Sequence, residues 1–458
     1  MKIKHFITLI MLFFVSTAFG SSSTGRFLAL SDLHFNPYRT CVRQKVPCAL
    51  IQALQAAPAD QWAAILQKQD SAIPSQYGSD MNAALLISTL NEIKKLPQNY
   101  QFVILTGDLL GHHYHEYFQQ FTNDTSVQDY QQFVNKTNTY LQLQLEKTFS
   151  GIPIYLIPGN NDGYEGDYNP GSASGFYKNM TQLWQRTIPN PENKASFEST
   201  YPQAGYYAIT VKNKTQTTNR VIFLNSVLFS IFASGSNIQA LAQQELAWLQ
   251  KQLEDAKQNN QLVWLVYHIP NGISPYATAQ LKLHMYIDAP IPFWQSQYNT
   301  AFLNLITQYP GTITALITAH EHMDAFRLIN NASSTPLLNA SVPAISPVYG
   351  NNPAFKLYEY NPDTLQLTNF QTYYFNEQNG NWELEYDFNT AYKSDCKTCS
   401  ILNIYSSITQ TGWRTDLYQK YYDIEANNQL INQKAWLPYY WCAIGQQTEE
   451  GYLGCLGT

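Results

Sequence analysis

Five apolar, strand-like segments of this 458-residue chain each end on polar residues that can bind a metal ion. The segments read RFLALSD, FVILTGD, IYLIPGN, LVWLVYH and ITALITAH, and each has the composition of a buried β-strand. Strand ends can meet at one edge of a sheet, which is where α/β folds place their sites. Helical periodicity between the segments favours the same class, so the pattern predicts an α/β fold with one polar site.

The polar residues at the five strand ends are of the types that bind metals. They are Asp32, His34, Asp108, Asn160, His268, His320 and His322. Each motif alone is typical of a turn or of a structural hydrogen bond, and only the ordered set indicates a shared site. Imidazole, carboxylate and amide groups in this number suit two divalent ions. We expect His320 and His322 to alternate on a strand, so that both rings point to one side.

The composition is that of a folded protein that does not bind nucleic acid. Hydrophobic residues make up 45% of the chain and charged residues 13%, as in a globular domain. The formal net charge is −6 and no long basic run occurs, so we expect no nucleic-acid partner. Aromatic residues make up 14% and predict aromatic-walled clefts. The sequence leaves the oligomeric state open.

The N-terminus has the features of a signal peptide. Lys2 and Lys4 precede an apolar run at 6–15, and a small-x-small cleavage site ends at Gly20. We therefore expect residues 1–20 to be removed and the mature protein to be secreted or periplasmic, with an uncleaved anchor as the alternative. We expect no integral membrane segment in the mature chain, because no other stretch is long enough to cross a bilayer.

Six cysteines form three couples that are close in sequence, as export would favour. Local pairing is the simplest of the 15 possible connectivities. A redox or zinc role for the C-x-x-C couple is the alternative to a structural bridge. The couples are Cys41 with Cys48, Cys396 with Cys399, and Cys442 with Cys455.

Periodicity and turn signals place the remaining elements. We expect helices at 80–95 with Asp80 as N-cap, and at 126–149, 239–257 and 299–308. We expect a hairpin within 206–225 and antiparallel strands at 356–360 and 367–375. The Pro- and aromatic-rich segment at about 270–295 predicts a loop over the site.

The chain resembles the calcineurin-like metallophosphoesterase superfamily and, within it, the acid sphingomyelinase-like phosphodiesterases. The resemblance covers residues 26–360 and rests on DLHFNPY, LTGD, YHIPNG, the stretch ending in ITALITAHEH, and PAISPVYGNNPAFKLYEY. It implies a β-sandwich core flanked by helices. It also implies a catalytic domain at 21–360 and a C-terminal subdomain at 361–458.

The resemblance implies a dinuclear site in which Asp108 bridges two ions. One ion would be held by Asp32, His34, Asp108 and His322, and the other by Asp108, Asn160, His268 and His320. The family implies Zn²⁺, whereas the ligand types alone also permit Mn or Fe. Water activated by the two ions would attack the phosphorus of a phosphoester.

One position departs from the family pattern and bears on catalysis. The family motif Gly-Asn-His reads Gly-Asn-Asn here, so Asn161 stands where a His normally protonates the leaving oxygen. An amide cannot deliver that proton. Three explanations stay open: His112 supplies the proton, the leaving group is good enough to need none, or the chain binds phosphoesters with impaired turnover. The predicted catalytic residues are therefore Asp108, His112 and Asn161. Asn36 also stands where Asp is usual, and we interpret it as a turn residue.

The expected substrates are small phosphodiesters. The sphingomyelin-cleaving members carry a lipid-lifting domain before the catalytic one, and only a short segment precedes Asp32 here. We therefore expect soluble diesters or nucleotides, with a sphingomyelin-like lipid headgroup as the alternative. A phosphomonoesterase on the same site is a further alternative.

Overall fold

The computed structural model describes residues 24–457 apart from 171–174, 213–217, 288, 331–334, 394, 397–398 and 427–429. The expected signal peptide lies outside the described residues. Within the described part of the chain, no helix combines the length and apolar character needed to cross a bilayer.

Twelve strands and fifteen α-helices make up the described part of the chain. The strands are β1 (Gly25–Leu30), β2 (Phe102–Leu105), β3 (Ile154–Leu156), β4 (Tyr207–Lys212), β5 (Thr218–Leu224), β6 (Val263–Tyr267), β7 (Ile313–Thr318), β8 (Phe326–Ile329), β9 (Leu337–Ser341), β10 (Ala354–Tyr360), β11 (Leu367–Asn376) and β12 (Asn381–Asp387). The helices are α1 (Ala49–Ala56), α2 (Trp62–Gln69), α3 (Ala83–Lys95), α4 (Tyr114–Thr122), α5 (Val127–Thr148), α6 (Phe176–Trp184), α7 (Pro191–Ala204), α8 (Ile238–Gln258), α9 (Pro275–Met285), α10 (Ser296–Ile306), α11 (Phe388–Tyr392), α12 (Ile401–Ser406), α13 (Trp413–Tyr421), α14 (Leu437–Gly445) and α15 (Glu449–Leu456).

The strands form two mixed sheets of six strands each. Their orders are β12-β11-β10-β1-β2-β3 and β4-β5-β6-β7-β9-β8. In the first sheet β1, β2 and β3 are parallel, and in the second β5, β6, β7 and β9 are parallel. The ends of these parallel strands supply the predicted site residues. The α/β class predicted from the sequence is confirmed.

The two sheets pack face to face and helices cover the second sheet from outside. Phe27 of β1 lies 5.2 Å from Trp264 of β6, measured between ring centroids, so the inner faces meet. Alternate residues of β6 belong to two cores: Trp264 packs between the sheets, whereas Leu265 packs with Leu249 of α8 and Phe302 of α10. Burial on both faces explains the unbroken apolar run of this strand. The expected β-sandwich flanked by helices is confirmed.

The C-terminal region continues the first sheet. Strand β10 pairs antiparallel with β1, and β11 and β12 extend the sheet from there. The helices that follow pack against its aromatic residues, as in the stacked rings of Tyr386 and Tyr421, 4.0 Å apart. Buried Lys356 of β10 forms an ion pair with Asp324, which lies just after the second sheet's β7. The region after residue 360 therefore shares a sheet and a core with the rest of the chain.

Two local predictions are wrong, and each has a physical reason. Helix α3 is capped by Asn82, whose side chain accepts the N–H of Leu85 at 3.0 Å. Asp80 does not cap the helix, because its carboxylate is bound by His112 and Asn36. The segment at 270–295 is not a loop throughout, since it contains α9. Ser274 caps this helix and Pro275 occupies its first position, a start signal that also resembles a turn.

The expected pairing of the cysteines is confirmed. Disulfides join Cys41 to Cys48, Cys396 to Cys399, and Cys442 to Cys455. The C-x-x-C couple is therefore a bridge in this structure.

Candidate metal centre

Left-handed backbone turns direct five of the seven predicted ligands into one place. Their φ angles are 46° at Asp32, 44° at His34, 54° at Asp108, 73° at His320 and 65° at His322. Side-chain-bearing residues rarely adopt such angles, and those that do cluster at functional sites. His320 and His322 follow the end of β7 at Thr318, so the expected alternation along a strand is wrong. Two left-handed residues bring the rings to the site instead.

Backbone hydrogen bonds hold the ligand-bearing loops against one another. The N–H of Asp32 donates to the carbonyl of Gly107 at 3.1 Å, and that of His34 donates to the carbonyl of Asp108 at 2.9 Å. Two glycines permit the close approach of the loops. A Cβ at Gly107 would lie 2.6 Å from the backbone nitrogen of Gly159, and a Cβ at Gly159 would lie 2.1 Å from the Asp108 carboxylate.

Asp32, His34 and His322 form the first ligand group, and all three are buried. The Nε2 atoms of His34 and His322 lie 3.2 Å apart. The Oδ1 atom of Asp32 lies 3.4 Å from Nε2 of His322 and 3.8 Å from Nε2 of His34. Three donor atoms that face one another this closely are suited to surrounding a cation.

Asp108, His268 and His320 form the second group, and Asp108 also reaches the first. Oδ2 of Asp108 lies 3.3 Å from Nε2 of His268 and 3.4 Å from Nε2 of His34. Oδ1 of Asn160 lies 3.2 Å from Nε2 of His268. Asp108 therefore occupies the position that a bridging carboxylate would need.

The hydrogen bonding of these groups fits metal ligation. Among the described buried atoms, Oδ1 of Asp32 and Nδ1 of His34 and of His322 have no hydrogen-bond partner, and the Asp32 oxygen points among donor nitrogens. An unsatisfied buried polar atom costs stability, which a bound cation would offset. The ring of His268 donates from Nδ1 to the carbonyl of Thr106 at 2.7 Å, which leaves the Nε2 lone pair for a metal. The residues present thus fit two divalent ions.

Burial and neighbouring charges set the protonation of the ligands. Burial is the largest influence and would lower the pKa of His34 and of His268, but Asp108 together with the other groups around each ring outweighs it and raises each pKa to about 9. Burial lowers the pKa of His320 to about 4 and that of His322 to about 3. The pKa of Asp108 is held well below its usual value, since His268 and His34 outweigh the effect of burial. Carboxylate and neutral imidazole are the forms that bind metal, so a bound ion would have to displace the proton from His34 and from His268.

Two acids position these ligands: Asp167, which the sequence did not single out, and Asp162, which follows Asn161 in the family motif. Asp167 accepts the Nδ2–H of Asn160 at 2.7 Å, which turns the amide oxygen toward the centre. Asp162 accepts the backbone N–H groups of Gly159 at 2.9 Å, Leu109 at 2.9 Å and Leu110 at 3.2 Å, and so joins the loops after β2 and β3. Burial, followed by the charge of Asp108, raises the pKa of Asp162 to about 6.

Asn161 is bound to the central carboxylate. Its backbone N–H donates to Oδ1 of Asp108 at 2.8 Å, and its Nδ2 donates to Oδ2 at 2.9 Å. The side chain therefore supports Asp108 and has no proton to give to a leaving group.

His112 lies directly over the centre and is oriented by Asp80. Its ring stacks on that of His34, with centroids 4.1 Å apart. Its Nδ1 lies 2.7 Å from Oδ1 of Asp80, and its backbone N–H donates to Oδ2 at 2.9 Å. Nε2 faces the hydroxyl of Tyr349 at 3.1 Å. Asn36 donates to the same Asp80 carboxylate at 3.0 Å and accepts from the backbone of Tyr38, so its role extends beyond a turn.

A cavity of about 470 Å³ opens above the centre and has the aromatic walls predicted from the composition. Asp108, His112, Asn160, His320 and His322 form its floor, and its walls include Tyr168, Tyr276, Phe293, Tyr349, Tyr422 and Tyr440. The carboxylates of Asp167, Glu321 and Asp423 also line it. The C-terminal region thus contributes part of the wall.

Comparison with known families gives two matches that together span the described chain. Residues 25–324 match the family described as calcineurin-like phosphoesterase. Residues 330–458 match the acid sphingomyelin phosphodiesterase C-terminal region.

Known relatives are similar over most of their length. A mouse protein named cyclic GMP-AMP phosphodiesterase SMPDL3A is 25% identical over 95% of this chain and 92% of its own. A mouse protein named acid sphingomyelinase-like phosphodiesterase 3b is 23% identical over 97% of this chain and 93% of its own. Sphingomyelinase phosphodiesterase D of Dictyostelium discoideum is 30% identical over 70% of this chain and 67% of its own.

Proposed function

This chain belongs to the calcineurin-like phosphoesterase family and carries an acid sphingomyelinase-type C-terminal region, and on that premise we propose that it is an exported, dinuclear phosphodiesterase. The proposed substrates are soluble phosphodiesters or nucleotides, with sphingomyelin-like headgroups as the alternative. Zn²⁺ is the metal proposed from the resemblance to the family, since imidazole and carboxylate ligands suit it but alone also permit Mn or Fe. The three disulfides fit an oxidising compartment.

The position of Asp108 carries this proposal. Its Oδ2 atom lies within 3.4 Å of one imidazole from each ligand group. We assign Asp32, His34, Asp108 and His322 to one ion, and Asp108, Asn160, His268 and His320 to the other. When bound, the two ions would provide an activated water and neutralise charge on the phosphoryl oxygens.

The residues of the chain would position the substrate and move the proton. The floor of the cavity places the phosphoryl group against the ligand shell. His112 is the proposed proton donor, since its Nε2 faces the cavity while its Nδ1 is bound to Asp80. Asn161 holds the Asp108 carboxylate and so maintains the geometry of the bridge.

A phosphoester-binding protein with impaired turnover is the second candidate. It is favoured by Asn161, which replaces the usual proton donor. Loss of a general acid costs about 10²–10⁴-fold in rate, and most of that cost falls on poor leaving groups.

Product analysis separates the two candidates. The Zn²⁺-loaded protein would be incubated with CDP-choline, ATP and detergent-dispersed sphingomyelin, and the products identified by mass spectrometry beside a chelated control. Chelator-sensitive CMP, AMP or ceramide is the expected result and identifies the substrate class. Tight phosphoester binding without any such product would instead establish the binding protein.

The Asp108→Asn variant tests the centre directly. We expect kcat to fall about 10³-fold, because both ions lose a shared anionic ligand and with it several kcal/mol of transition-state stabilisation. The melting temperature should show that the variant is folded. Asp60→Asn, at an exposed position outside the site, is the matched control. Activity retained in Asp108→Asn would contradict the proposal.

A further inference from the structure

A second cavity of about 370 Å³ lies beside the first and shares two residues with it. His112 and Tyr349 line both cavities. The ring of His112 rests on that of His34, and the ring of Tyr349 lies 4.7 Å from that of His322. The two cavities therefore meet directly above the ligand group of Asp32, His34 and His322.

Aromatic and apolar side chains form one wall of the second cavity. The rings of Tyr38, Tyr117 and Phe121 lie 5.8–6.1 Å from one another, measured between centroids. Val42 is 69% exposed at the rim, and it lies on the loop closed by the Cys41–Cys48 disulfide. Tyr38 and Phe121 are buried and support the wall, so partly exposed Tyr117 and exposed Val42 are the side chains that it offers to a flat ligand.

The charges of the two cavities differ. The first is lined by the carboxylates of Asp167, Glu321 and Asp423, of which Glu321 is paired with Arg327 and Asp167 accepts from the uncharged amide of Asn160. In the second, the carboxylate of Asp80 is bound by His112 and Asn36. The exposed guanidinium of Arg39 stands at its edge. A positively charged group is therefore better accommodated in the first cavity than in the second.

We propose that the second cavity is a substrate subsite that binds one ester arm of a phosphodiester, and that it favours an aromatic or apolar arm without positive charge. The proposal rests on the phosphodiesterase function above. A diester phosphorus at the centre carries two substituents that diverge from it. Two cavities that meet over the centre provide one place for each.

Phosphonate monoesters test the subsite without requiring their hydrolysis. Phenyl methylphosphonate and methyl methylphosphonate mimic a diester and differ only in the second arm. Their inhibition constants would be measured on the Zn²⁺-loaded protein against bis(p-nitrophenyl) phosphate. We expect the phenyl compound to bind more tightly. We expect Tyr117→Ala to reduce that advantage about three- to tenfold, the value of an aromatic contact.

Three further variants make the result specific. Val42→Asp removes an apolar contact at an exposed position, so it should reduce the phenyl advantage without affecting folding. Tyr276→Ala, in the first cavity, should leave the phenyl advantage in place. Trp413→Ala removes an aromatic side chain, 44% exposed, outside both cavities and is the matched control.

The outcomes separate this proposal from the function on which it rests. A phenyl advantage that is lost in Tyr276→Ala and kept in Tyr117→Ala and Val42→Asp would overturn the subsite and place the arm in the first cavity. If bis(p-nitrophenyl) phosphate is not hydrolysed, the proposed function fails. The two phosphonates would then be compared by calorimetry on the same variants, where equal affinities would overturn the subsite independently.

Discussion

Asn161 stands where the family has a proton-donating His, and its side-chain amide donates a hydrogen bond to the Asp108 carboxylate. The acid that follows it is also engaged, because both oxygens of Asp162 accept backbone N–H groups. His112 therefore remains the proposed proton donor. A His restored at 161 would lack a free carboxylate to orient it.

Asn161→His tests whether the lost donor still limits the rate. We expect kcat to rise about tenfold for alkyl diesters, below the full range for a general acid because Asp162 cannot orient the new ring. We expect little change for p-nitrophenyl esters, whose leaving group needs no proton. Rates would be compared with bound metal measured for each preparation. An unchanged or reduced rate would mean that His112 or another group performs this role.

Asp80→Asn tests the orientation of His112. Removing the carboxylate frees the ring, so we expect kcat to fall about tenfold for poor leaving groups and by less than about twofold for p-nitrophenyl esters. The measurement is the slope of log kcat against the pKa of the leaving group, which should steepen. Asp60→Asn serves as control. An equal loss across the series would show that Asp80 acts on metal binding or on folding instead.

The sequence singled out the candidate ligands, which the structure brings together, but not the contacts by which other residues orient them. Strand-end Asp and His residues stand out because they interrupt apolar runs. Asp80, Asp162 and Asp167 lie in polar loops, where an acid is unremarkable. The contact of Asp80 with His112 spans 32 positions, so no local spacing reveals it. The left-handed turns at His320 and His322 had no clear sequence signal either, since such angles are uncommon in every residue but Gly, although His is one of the residues enriched there.

At the level of elements, the strands that are buried on both faces were the easiest to predict from the sequence. Strand β6 is apolar throughout because Trp264 faces one core and Leu265 the other. Long amphipathic helices such as α8 were equally clear. Helix α9 was missed because Pro275 and its aromatic neighbours also fit a loop, and only packing against α14 decides between them.

A buried acid on α8 gives a test of stability at this scale. Glu245 accepts the N–H of Asn225 at 2.7 Å, and its second oxygen is buried without a partner. Burial raises the pKa of Glu245 well above its usual value of 4.5. Above about pH 4.5 the carboxyl of Glu245 loses its proton in the unfolded chain but keeps it in the folded protein. The free energy of unfolding therefore falls as the pH rises toward the pKa of the folded state.

Glu245→Gln should remove this pH dependence. We expect the variant to gain stability relative to the native chain as the pH rises from 5 to 8, by at most about 1.4 kcal/mol per pH unit. Urea unfolding at both pH values measures the difference. Glu450→Gln, at an exposed position of α15, should show no such change. A constant difference between native chain and variant would contradict the assignment.

At the scale of the whole molecule, metal binding should contribute to stability. The donor groups come from loops of both sheets, so ions bound between them would hold the sheets together. We expect chelation to lower the melting temperature by about 5 °C, as loss of a tightly bound ligand implies. Added Zn²⁺ should restore it, and Asp108→Asn should show a smaller shift. No shift, together with no metal by emission spectroscopy, would contradict the site.

The C-terminal region is part of the same architecture. The division of the chain at 360 stays a prediction, but the strands on either side of it share a sheet. Tyr422 and Tyr440 from this region line the first cavity. Sequence periodicity indicated the strands at 356–360 and 367–375 but not their partner, because β1 lies more than 300 positions away in the sequence.

That pairing has a consequence for synthesis. Leu28 in β1 pairs with Leu357 in β10. At roughly 5–20 residues per second, about 15–65 s of translation separate these two strands. For that interval one edge of β1 has no neighbour, and an unpaired edge is open to association with other chains. The earliest strand of the described chain is thus among the last whose pairing is completed, and its edge stays open until most of the protein has been made.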